Sequence, residues 1–264
     1  MLELPRHLFR FLAYSIRSMS PLRLATGSVR LLADPAARDH DASFDVRFGT
    51  DTTRGMTPAE ASVPPSRQRV ATMYLPTRDE DFATMLAALG WEPTKLEQCT
   101  FLDLGSGKGR VVLLAAMHRF REVVGVEVSP TLNDIAIRNH ALVANAGVLR
   151  SAVRFDLGDA ADLAIPGGPL VVHLYHPFHE MVAEVVVSRI VMSIRRDPRP
   201  VAILYGHPTV QRPLSSGVFT DSNIFACTTV GARKTKRFSI GWSIFTNTEW
   251  LRRSRLSALR SADG

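Results

Sequence analysis

Short apolar runs alternate along the chain with longer segments that have a helical period. Each short run is bounded by glycine, proline or polar turn residues, which is the pattern of a buried strand. Such runs occupy residues 101–104, 122–127, 153–157, 169–175 and 200–205. Apolar positions at helical spacing predict helices over residues 78–89, 110–117 and 130–146. Strands and helices that alternate in this way predict an α/β protein.

Two more apolar runs, residues 225–230 and 238–245, close the pattern near the C-terminus. The short connection between them begins at Gly231 and carries four basic residues, so the two runs predict an antiparallel hairpin with a basic turn. Such charge runs are usually solvated, although this one could also steer an acidic partner.

The first strand leads into Gly105-Ser106-Gly107-Lys108-Gly109, and a helix follows at once. Glycines lack Cβ, so the backbone can turn sharply and a ligand can press against the N–H groups that open the helix. The second strand ends in Glu127, at the position where nucleotide-binding βαβ units hold ribose hydroxyls. Glu127 is therefore the expected ribose ligand.

Two familiar glycine loops do not fit these residues. The dinucleotide pattern is G-x-G-x-x-G, whereas the glycines here have the spacing G-x-G-x-G. The phosphate loop requires serine or threonine after its lysine, whereas Lys108 is followed by Gly109. An ordinary tight turn in an α/β protein remains the alternative interpretation.

The string from Asp103 to Gly109, taken with Glu127, resembles motifs I and II of the class I S-adenosylmethionine (SAM) dependent methyltransferases. The resemblance covers most of residues 70–250. It implies a Rossmann-like α/β fold, with a mainly parallel seven-stranded sheet, helices on both faces and an antiparallel C-terminal hairpin. It also implies SAM as cofactor and S-adenosylhomocysteine as product.

The same resemblance implies the residues that bind the cofactor. From the two motifs these are Asp103, Leu104, Gly105, Ser106, Gly107, Gly109, Glu127 and Val128. Asp159, with the backbone of Ala160, is expected at the adenine amino group; the alternative is a solvated turn aspartate. Tyr74 and Thr77 are expected at the methionine end, and their alternative roles are core packing and N-capping of the helix at 78–89.

The fourth strand ends in Tyr175-His176-Pro177-Phe178, at the position of the family's motif IV. Relatives that methylate amino groups have Asn or Asp followed by Pro-Pro and an aromatic residue, so this string argues against methylation of DNA or glutamine. It is similar to the Tyr-Asn-Pro-Phe variant of some bacterial members. Tyr175 and His176 are the candidate catalytic residues, and Tyr175 is also expected to contact the cofactor. His176 is the candidate base or acceptor-orienting group because imidazole titrates near neutrality. The alternative is a structural histidine.

Composition narrows the setting of this chemistry. Cys99 and Cys227 lie inside apolar runs and cannot form a disulfide framework or a four-ligand zinc site, which favours a reducing cytoplasm. No cluster of oxygen ligands follows the fourth strand, so we predict no metal. The net charge of +7 comes mostly from arginine and is weak support for a nucleic-acid partner.

Residues 4–19 have the pattern of a basic amphipathic helix, which we expect to cover part of the protein body. A membrane surface, a partner protein or a transit segment are the alternatives. Residues 34–66 are proline-rich and lack apolar periodicity, which predicts a linker or lid. Within them, residues 44–52 resemble a segment that closes over the cofactor in some bacterial methyltransferases; the alternative is a plain turn. The chain is thus divided into residues 1–66 (helix and lid) and 67–264 (SAM-binding domain).

The predicted function is methyl transfer from SAM to a nitrogen or oxygen atom of a small molecule or a protein side chain. Two alternatives stay open. One is a catalytically silent SAM-binding interaction module, and the other is a nucleic-acid methyltransferase, for which the sequence has no obvious recognition motif.

Overall fold

The computed structural model of the chain describes residues 42–208, 213–234 and 239–254. The predicted helix at 4–19 lies outside the described residues. Of the predicted basic connection at 231–237, residues 231–234 belong to a strand and residues 235–237 lie outside the described residues. No helix in the described part of the chain combines the length and apolar character that crossing a membrane requires.

Seven strands form one sheet. In chain order they are β1 (Thr100–Leu104), β2 (Glu122–Glu127), β3 (Ala152–Leu157), β4 (Leu170–Tyr175), β5 (Val201–Pro208), β6 (Ala226–Lys234) and β7 (Ser239–Thr246). Their order across the sheet is β3-β2-β1-β4-β5-β7-β6. The first five are parallel, and β7 pairs antiparallel with both β5 and β6. This confirms the predicted seven-stranded, mainly parallel sheet with an antiparallel C-terminal hairpin.

Helices cover both faces of this sheet. They are α1 (Ser43–Phe48), α2 (Asp79–Ala88), α3 (Pro93–Leu96), α4 (Arg110–Ala116), α5 (Pro130–Asn145), α6 (Glu180–Arg196) and α7 (Gly217–Thr220). Buried residues of α2 and α4 form one core with Phe101 of β1, whereas buried residues of α6 form a second core with Leu102 and Leu104 on the opposite face. The apolar runs of the parallel strands are thus buried on both sides, as their sequences predict.

The strand order reverses between β1 and β4, because the chain runs outward from β1 through β2 and β3 and then returns to the other side of β1. Ligands of open α/β sheets bind beyond the carboxyl ends of the strands at such a point. The glycine loop after β1, Glu127 at the end of β2 and Tyr175 at the end of β4 all lie at this edge.

Residues 43–77, here called the N-terminal strap, pack onto this edge. Within the segment predicted to be a linker or lid, the strap begins with helix α1, which ends at Gly49 in a left-handed conformation. The Asp45 carboxylate accepts hydrogen bonds from the Thr50, Thr52 and Thr53 hydroxyls at 2.6–2.7 Å, which fixes the turn after the helix. Phe44 is buried in the core shared with α2 and α4. Helix α1 therefore packs against the same core as the sheet, whereas Ala61 and Val63 form a separate small cluster with Ala71 and Leu132.

One capping prediction is wrong. Helix α2 begins at Asp79, and its N-cap is Arg78, which makes no side-chain cap hydrogen bond. Thr77 is instead buried, with 3% of its surface exposed. The first turn contains Asp79, Glu80 and Asp81. Their negative charges stabilise the helix because they lie near the positive end of its dipole.

Candidate functional site

A cavity opens at the carboxyl ends of β1, β2 and β4, beneath the N-terminal strap. Its volume is about 970 Å³ when the open solvent at its mouth is included. Most of the predicted site residues line it: Tyr74, Thr77, Asp103, Gly105, Ser106, Gly107, Glu127, Val128, Asp159, Ala160 and Tyr175. Residues far apart in sequence are thus brought together, as expected.

Three predicted residues do not line the cavity. Leu104 is fully buried in the core on the α6 face. Gly109 forms the N-cap of α4, where an added Cβ would lie 3.0 Å from Ala136 and Phe155. His176 is directed elsewhere, as described below. For Leu104 and Gly109, a motif position fixes the local fold and supplies no surface to a ligand.

The glycine loop is covered in part by the protein's own side chains. Gly105 and Gly107 have φ values of +77° and +55°, in the left-handed region that glycine adopts without strain. An added Cβ at Gly105 would lie 2.3 Å from Pro177, and one at Gly107 would lie 2.3 Å from the Tyr74 ring. The loop therefore needs glycine for close packing as well as for its turn, and a ligand would share this backbone with Tyr74 and Pro177.

Glu127 is held rigidly at the end of β2. Its Oε2 accepts a hydrogen bond from the Gly107 N–H at 2.8 Å, and its Oε1 accepts one from the Ser129 N–H at 2.9 Å. Only 5% of the residue is exposed. Burial raises the pKa of this carboxyl, and the N–H groups of Ser129, Gly107 and Val128 oppose that change. An oriented carboxylate of this kind can accept hydrogen bonds from the hydroxyls of a ribose.

Asp159, predicted to meet the adenine amino group, is fixed by the strap. Its Oδ1 accepts a hydrogen bond from the Ala161 N–H at 2.8 Å, and its Oδ2 forms an ion pair with the guanidinium of Arg67. Arg67 also lines the cavity. Sequence analysis did not single out Arg67, because its partner is 92 positions away and only the folded strap brings them together.

Lys108 anchors the strap from below the glycine loop. Its ammonium is 2.7 Å from Asp51 Oδ1 and 5.7 Å from the centre of the Tyr74 ring. Asn139 on α5 accepts a hydrogen bond from the Asp51 N–H and donates one to the Lys108 carbonyl. The Tyr74 hydroxyl donates to the Thr52 carbonyl at 2.7 Å. In a phosphate loop the lysine at this position would contact a phosphate. Here Lys108 instead holds the N-terminal strap through Asp51.

Removing the strap's side of this ion pair is expected to destabilise the fold. The Lys108 side chain is 1% exposed, so Asp51→Ala leaves a buried ammonium without its carboxylate. We expect a loss of about 2 kcal/mol in the free energy of unfolding, below the cost for a fully buried pair because Asp51 itself is 60% exposed. Urea denaturation measures the loss.

Two variants serve as controls for this prediction. Asp51→Ala with Lys108→Met, which removes both charges, should recover most of the stability. Glu249→Ala, which breaks the exposed pair with Arg253, should cost less than about 1 kcal/mol. Equal losses for Asp51→Ala and Glu249→Ala would contradict a structural role for the buried pair.

The end of β4 places its two candidate catalytic residues differently. Tyr175 lines the cavity, beside Gly206 of β5. His176 has a φ of +45° and is 8% exposed, and its Nδ1 lies 2.7 Å from the Tyr205 hydroxyl, away from the cavity lining. Burial, with smaller contributions from His207 and His179, lowers the pKa of His176 to about 4. The ring therefore fits the structural alternative considered for it.

The backbone at this position also holds the strap. The Thr72 hydroxyl donates to the His176 carbonyl at 2.6 Å, and the Thr72 N–H donates to the Pro177 carbonyl at 3.1 Å. These two hydrogen bonds join the strap to the residues that follow β4, where His176 has a left-handed conformation. Such strain in a non-glycine residue is typical of functional edges of a fold.

His176 should make stability depend on acidity. The pKa of His176 is 6.5 in the unfolded chain and about 4 in the folded one. Between these two pH values the unfolded chain therefore binds a proton at His176 and the folded chain does not. Stability is then fully present above pH 6.5 and falls as the pH drops toward 4. We expect a loss of about 2 kcal/mol between pH 7 and pH 5 in urea denaturation.

The matched variant for this pH dependence is His176→Asn, since asparagine tolerates a positive φ. It should lose most of the difference between pH 7 and pH 5. A difference in His176→Asn as large as that of the wild type would assign the pH dependence to other groups.

His173 is a cavity residue that sequence analysis missed. It lies on β4 directly opposite Asp103 of β1, and its Nδ1 is 2.7 Å from Asp103 Oδ1. Both residues line the cavity. The available signal was a lone histidine inside an apolar strand, which acquires meaning only when the register places it next to Asp103.

No group of three or more His, Cys, Asp or Glu residues in the described parts of the chain is arranged to hold a metal ion.

Comparison with known proteins identifies the fold. No protein-family model and no curated protein sequence matches the chain. Among solved structures, it is similar to magnesium protoporphyrin IX methyltransferase from Synechocystis PCC 6803 with bound S-adenosylhomocysteine, at 14% identity and a TM-score of 0.50 over 80% of this chain and 98% of that one. An RNA methyltransferase from Salinibacter ruber, also with S-adenosylhomocysteine, has 19% identity and a TM-score of 0.44 over 66% and 94%. The chain has the Rossmann-like fold of the class I SAM-dependent methyltransferases.

Proposed function

We propose that the protein is an enzyme that binds SAM in the cavity beneath the N-terminal strap and transfers its methyl group to an acceptor. The observation that carries this proposal is the burial and fixed orientation of the Glu127 carboxylate. This buried carboxylate at the end of β2 is oriented by the Gly107 and Ser129 N–H groups and lines the cavity. Its oxygens can accept hydrogen bonds from the two adjacent hydroxyls of a ribose.

The other residues of the cavity fit the remaining parts of the nucleoside. Asp159 offers a carboxylate to the adenine amino group, and Val128, Ala160 and Leu132 supply apolar surface for the ring. The loop residues Gly105, Ser106 and Gly107, with Tyr74 and Thr77 of the strap, are proposed to contact the amino-acid end. The residues present therefore fit SAM along its length.

SAM itself supplies an activated methyl group on a sulfonium. The chain's share of the reaction is to orient the acceptor and exclude water, and orientation alone can lower a barrier by about 7 to 11 kcal/mol. Tyr175 is the proposed acceptor-orienting residue, because it lies at the end of β4 and lines the cavity. We assign no proton transfer to His176, whose Nδ1 faces Tyr205.

We propose a small molecule or a single protein side chain as acceptor, methylated at nitrogen or oxygen. The strap covers the cavity, and apolar residues beyond the cofactor motifs line it, among them Met73, Leu75 and Phe178. A covered, largely apolar site suits a compact group better than a paired nucleic-acid strand, which would need a charged track.

Calorimetric titration of the wild-type protein with S-adenosylhomocysteine, and separately with ATP and NAD, tests the cofactor. We expect saturable binding of S-adenosylhomocysteine alone. Binding of NAD or ATP in its place would overturn the proposal.

Methyl-labelled SAM, incubated with the protein and fractionated cell extract, then separates the possible functions. Label in small molecules or protein supports the proposed enzyme, and label in RNA or DNA supports the nucleic-acid alternative. Tight binding with no labelled product in any fraction would favour the silent SAM-binding module.

A further inference from the structure

Asp103 and His173 form a buried pair at the floor of the cavity. They face each other across the β1–β4 register, and their side chains are 4% and 1% exposed. The Nδ1–Oδ1 distance is 2.7 Å. Both residues belong to the cavity lining, next to the glycine loop that starts at Gly105.

The proton of this hydrogen bond belongs to His173, because an ionised carboxylate can only accept. His173 Nε2 is buried and has no hydrogen-bond partner among the residues described. Its ring lies between Phe101, stacked at 6.3 Å, and Phe82, edge-on at 6.4 Å. A second N–H at Nε2 would be a buried donor without an acceptor, which is costly. The tautomer with its proton on Nδ1 avoids this cost, and the Asp103 carboxylate is then the acceptor.

Three carboxylates line the cavity, and they differ in the hydrogen bonds and ion pairs that they already form within the protein. Glu127 accepts from two N–H groups, and Asp159 accepts from an N–H group and pairs with Arg67. Within the described chain, His173 is the one hydrogen-bond partner of the Asp103 carboxylate, and it engages Oδ1. Oδ2 is therefore the carboxylate oxygen in this cavity with the greatest remaining capacity to accept.

We propose that His173 is a positioning residue that turns Asp103 Oδ2 toward the ammonium group of the cofactor's amino-acid end. This inference rests on the proposed function, because it assigns a contact within the same SAM site. An ammonium group has three donors and a positive charge, which complements an oriented carboxylate in a buried cavity. The apolar walls of Phe82 and Phe101 hold the imidazole in the plane that this requires.

A thermodynamic double cycle, in which both the side chain at position 173 and the amino group of the ligand are changed, tests the assignment. S-adenosylhomocysteine is compared by calorimetry with its analogue in which hydrogen replaces the α-amino group. The wild type should prefer the amino compound about 10- to 100-fold, as expected for a hydrogen bond to a charged group. In His173→Phe this preference should shrink to within about threefold, since Asp103 loses the donor that orients it.

Two further variants make the result specific. His173→Asn retains an amide donor near the position of Nδ1 and should keep most of the preference. His118→Phe changes another ring that contacts Phe82 but does not line the cavity, and it should keep the wild-type preference. A purely structural role for His173 would weaken both ligands equally and leave their ratio unchanged.

The possible failures are distinct. If the wild type binds neither compound, the proposed function fails and this inference fails with it. If the wild type binds S-adenosylhomocysteine with a strong preference that His173→Phe retains, the inference alone is overturned. Should His173→Phe not fold, Asp103→Asn replaces it, and a retained preference in that variant overturns the assignment equally.

Discussion

Replacing Glu127 with alanine is expected to weaken binding of S-adenosylhomocysteine about 10- to 100-fold. Its carboxylate is buried and oriented by the Gly107 and Ser129 N–H groups, so it can accept both ribose hydroxyls with little loss of entropy. A hydrogen bond to such a charged group contributes about 1.5 to 3 kcal/mol, which corresponds to that range of affinity. Isothermal titration calorimetry measures the change directly.

Two variants control for indirect effects of this substitution. Glu127→Gln keeps the shape and one carbonyl acceptor and should lose less affinity than the alanine variant. Glu184→Ala removes an exposed carboxylate from α6, outside the cavity, and should leave binding unchanged. Unchanged affinity in folded Glu127→Ala would show that a different residue holds the ribose.

Gly107→Ala is expected to cost about 2 to 5 kcal/mol of stability, the largest loss predicted here for a single methyl group. The residue has a φ of +55°, which costs an L-residue about 1 to 2 kcal/mol. The new Cβ would also lie 2.3 Å from the Tyr74 ring, and overpacking of this kind costs about 1 to 3 kcal/mol. Urea denaturation of the purified variant gives the value.

Gly49 offers the matched control for this substitution. It also has a left-handed conformation, at φ +71°, but nothing lies within 4 Å of an added Cβ. Gly49→Ala should therefore cost only the backbone part, about 1 to 2 kcal/mol. In a Tyr74→Ala background, Gly107→Ala should cost no more than Gly49→Ala. Equal costs for the two glycines in the wild-type background would contradict the packing of Tyr74 on the loop.

The strands of the parallel sheet could be predicted from the sequence because each is buried on both faces. Such strands appear as continuous apolar runs, and β1 and β4 follow that pattern closely. The glycine loop and Glu127 could be located for a similar reason: a loop that joins a buried strand to a helix has few backbone solutions, and those solutions require glycine. Local constraints therefore determined what sequence analysis could find.

Other parts of the site depend on contacts that local patterns do not encode. Arg67 meets Asp159, and Lys108 meets Asp51, only after the strap has folded over the sheet edge. His173 acquires its partner through the register of β1 and β4. Proline content and weak periodicity indicated a linker or lid before residue 66, yet its order comes from side-chain contacts such as those of Asp45.

The histidine at the end of β4 illustrates a second limit. The sequence predicts that His176 lies at the edge of the sheet where ligands bind, but it does not predict the direction of the side chain. In the structure its φ is +45°, its ring contacts Tyr205 and its carbonyl accepts a hydrogen bond from Thr72. His173, three residues earlier on β4, lines the cavity instead. Side-chain direction at a strand end depends on the local backbone dihedrals and on χ1, which hydrophobic periodicity does not encode.

Crystals of the protein grown with S-adenosylhomocysteine test the central claim most directly. We predict electron density for the nucleoside across the ends of β1 and β2, with both ribose hydroxyls within hydrogen-bonding distance of the Glu127 carboxylate and the adenine amino group at Asp159. A nucleoside bound elsewhere, or a cavity that Tyr74 and Pro177 keep closed at saturating ligand, would contradict the account.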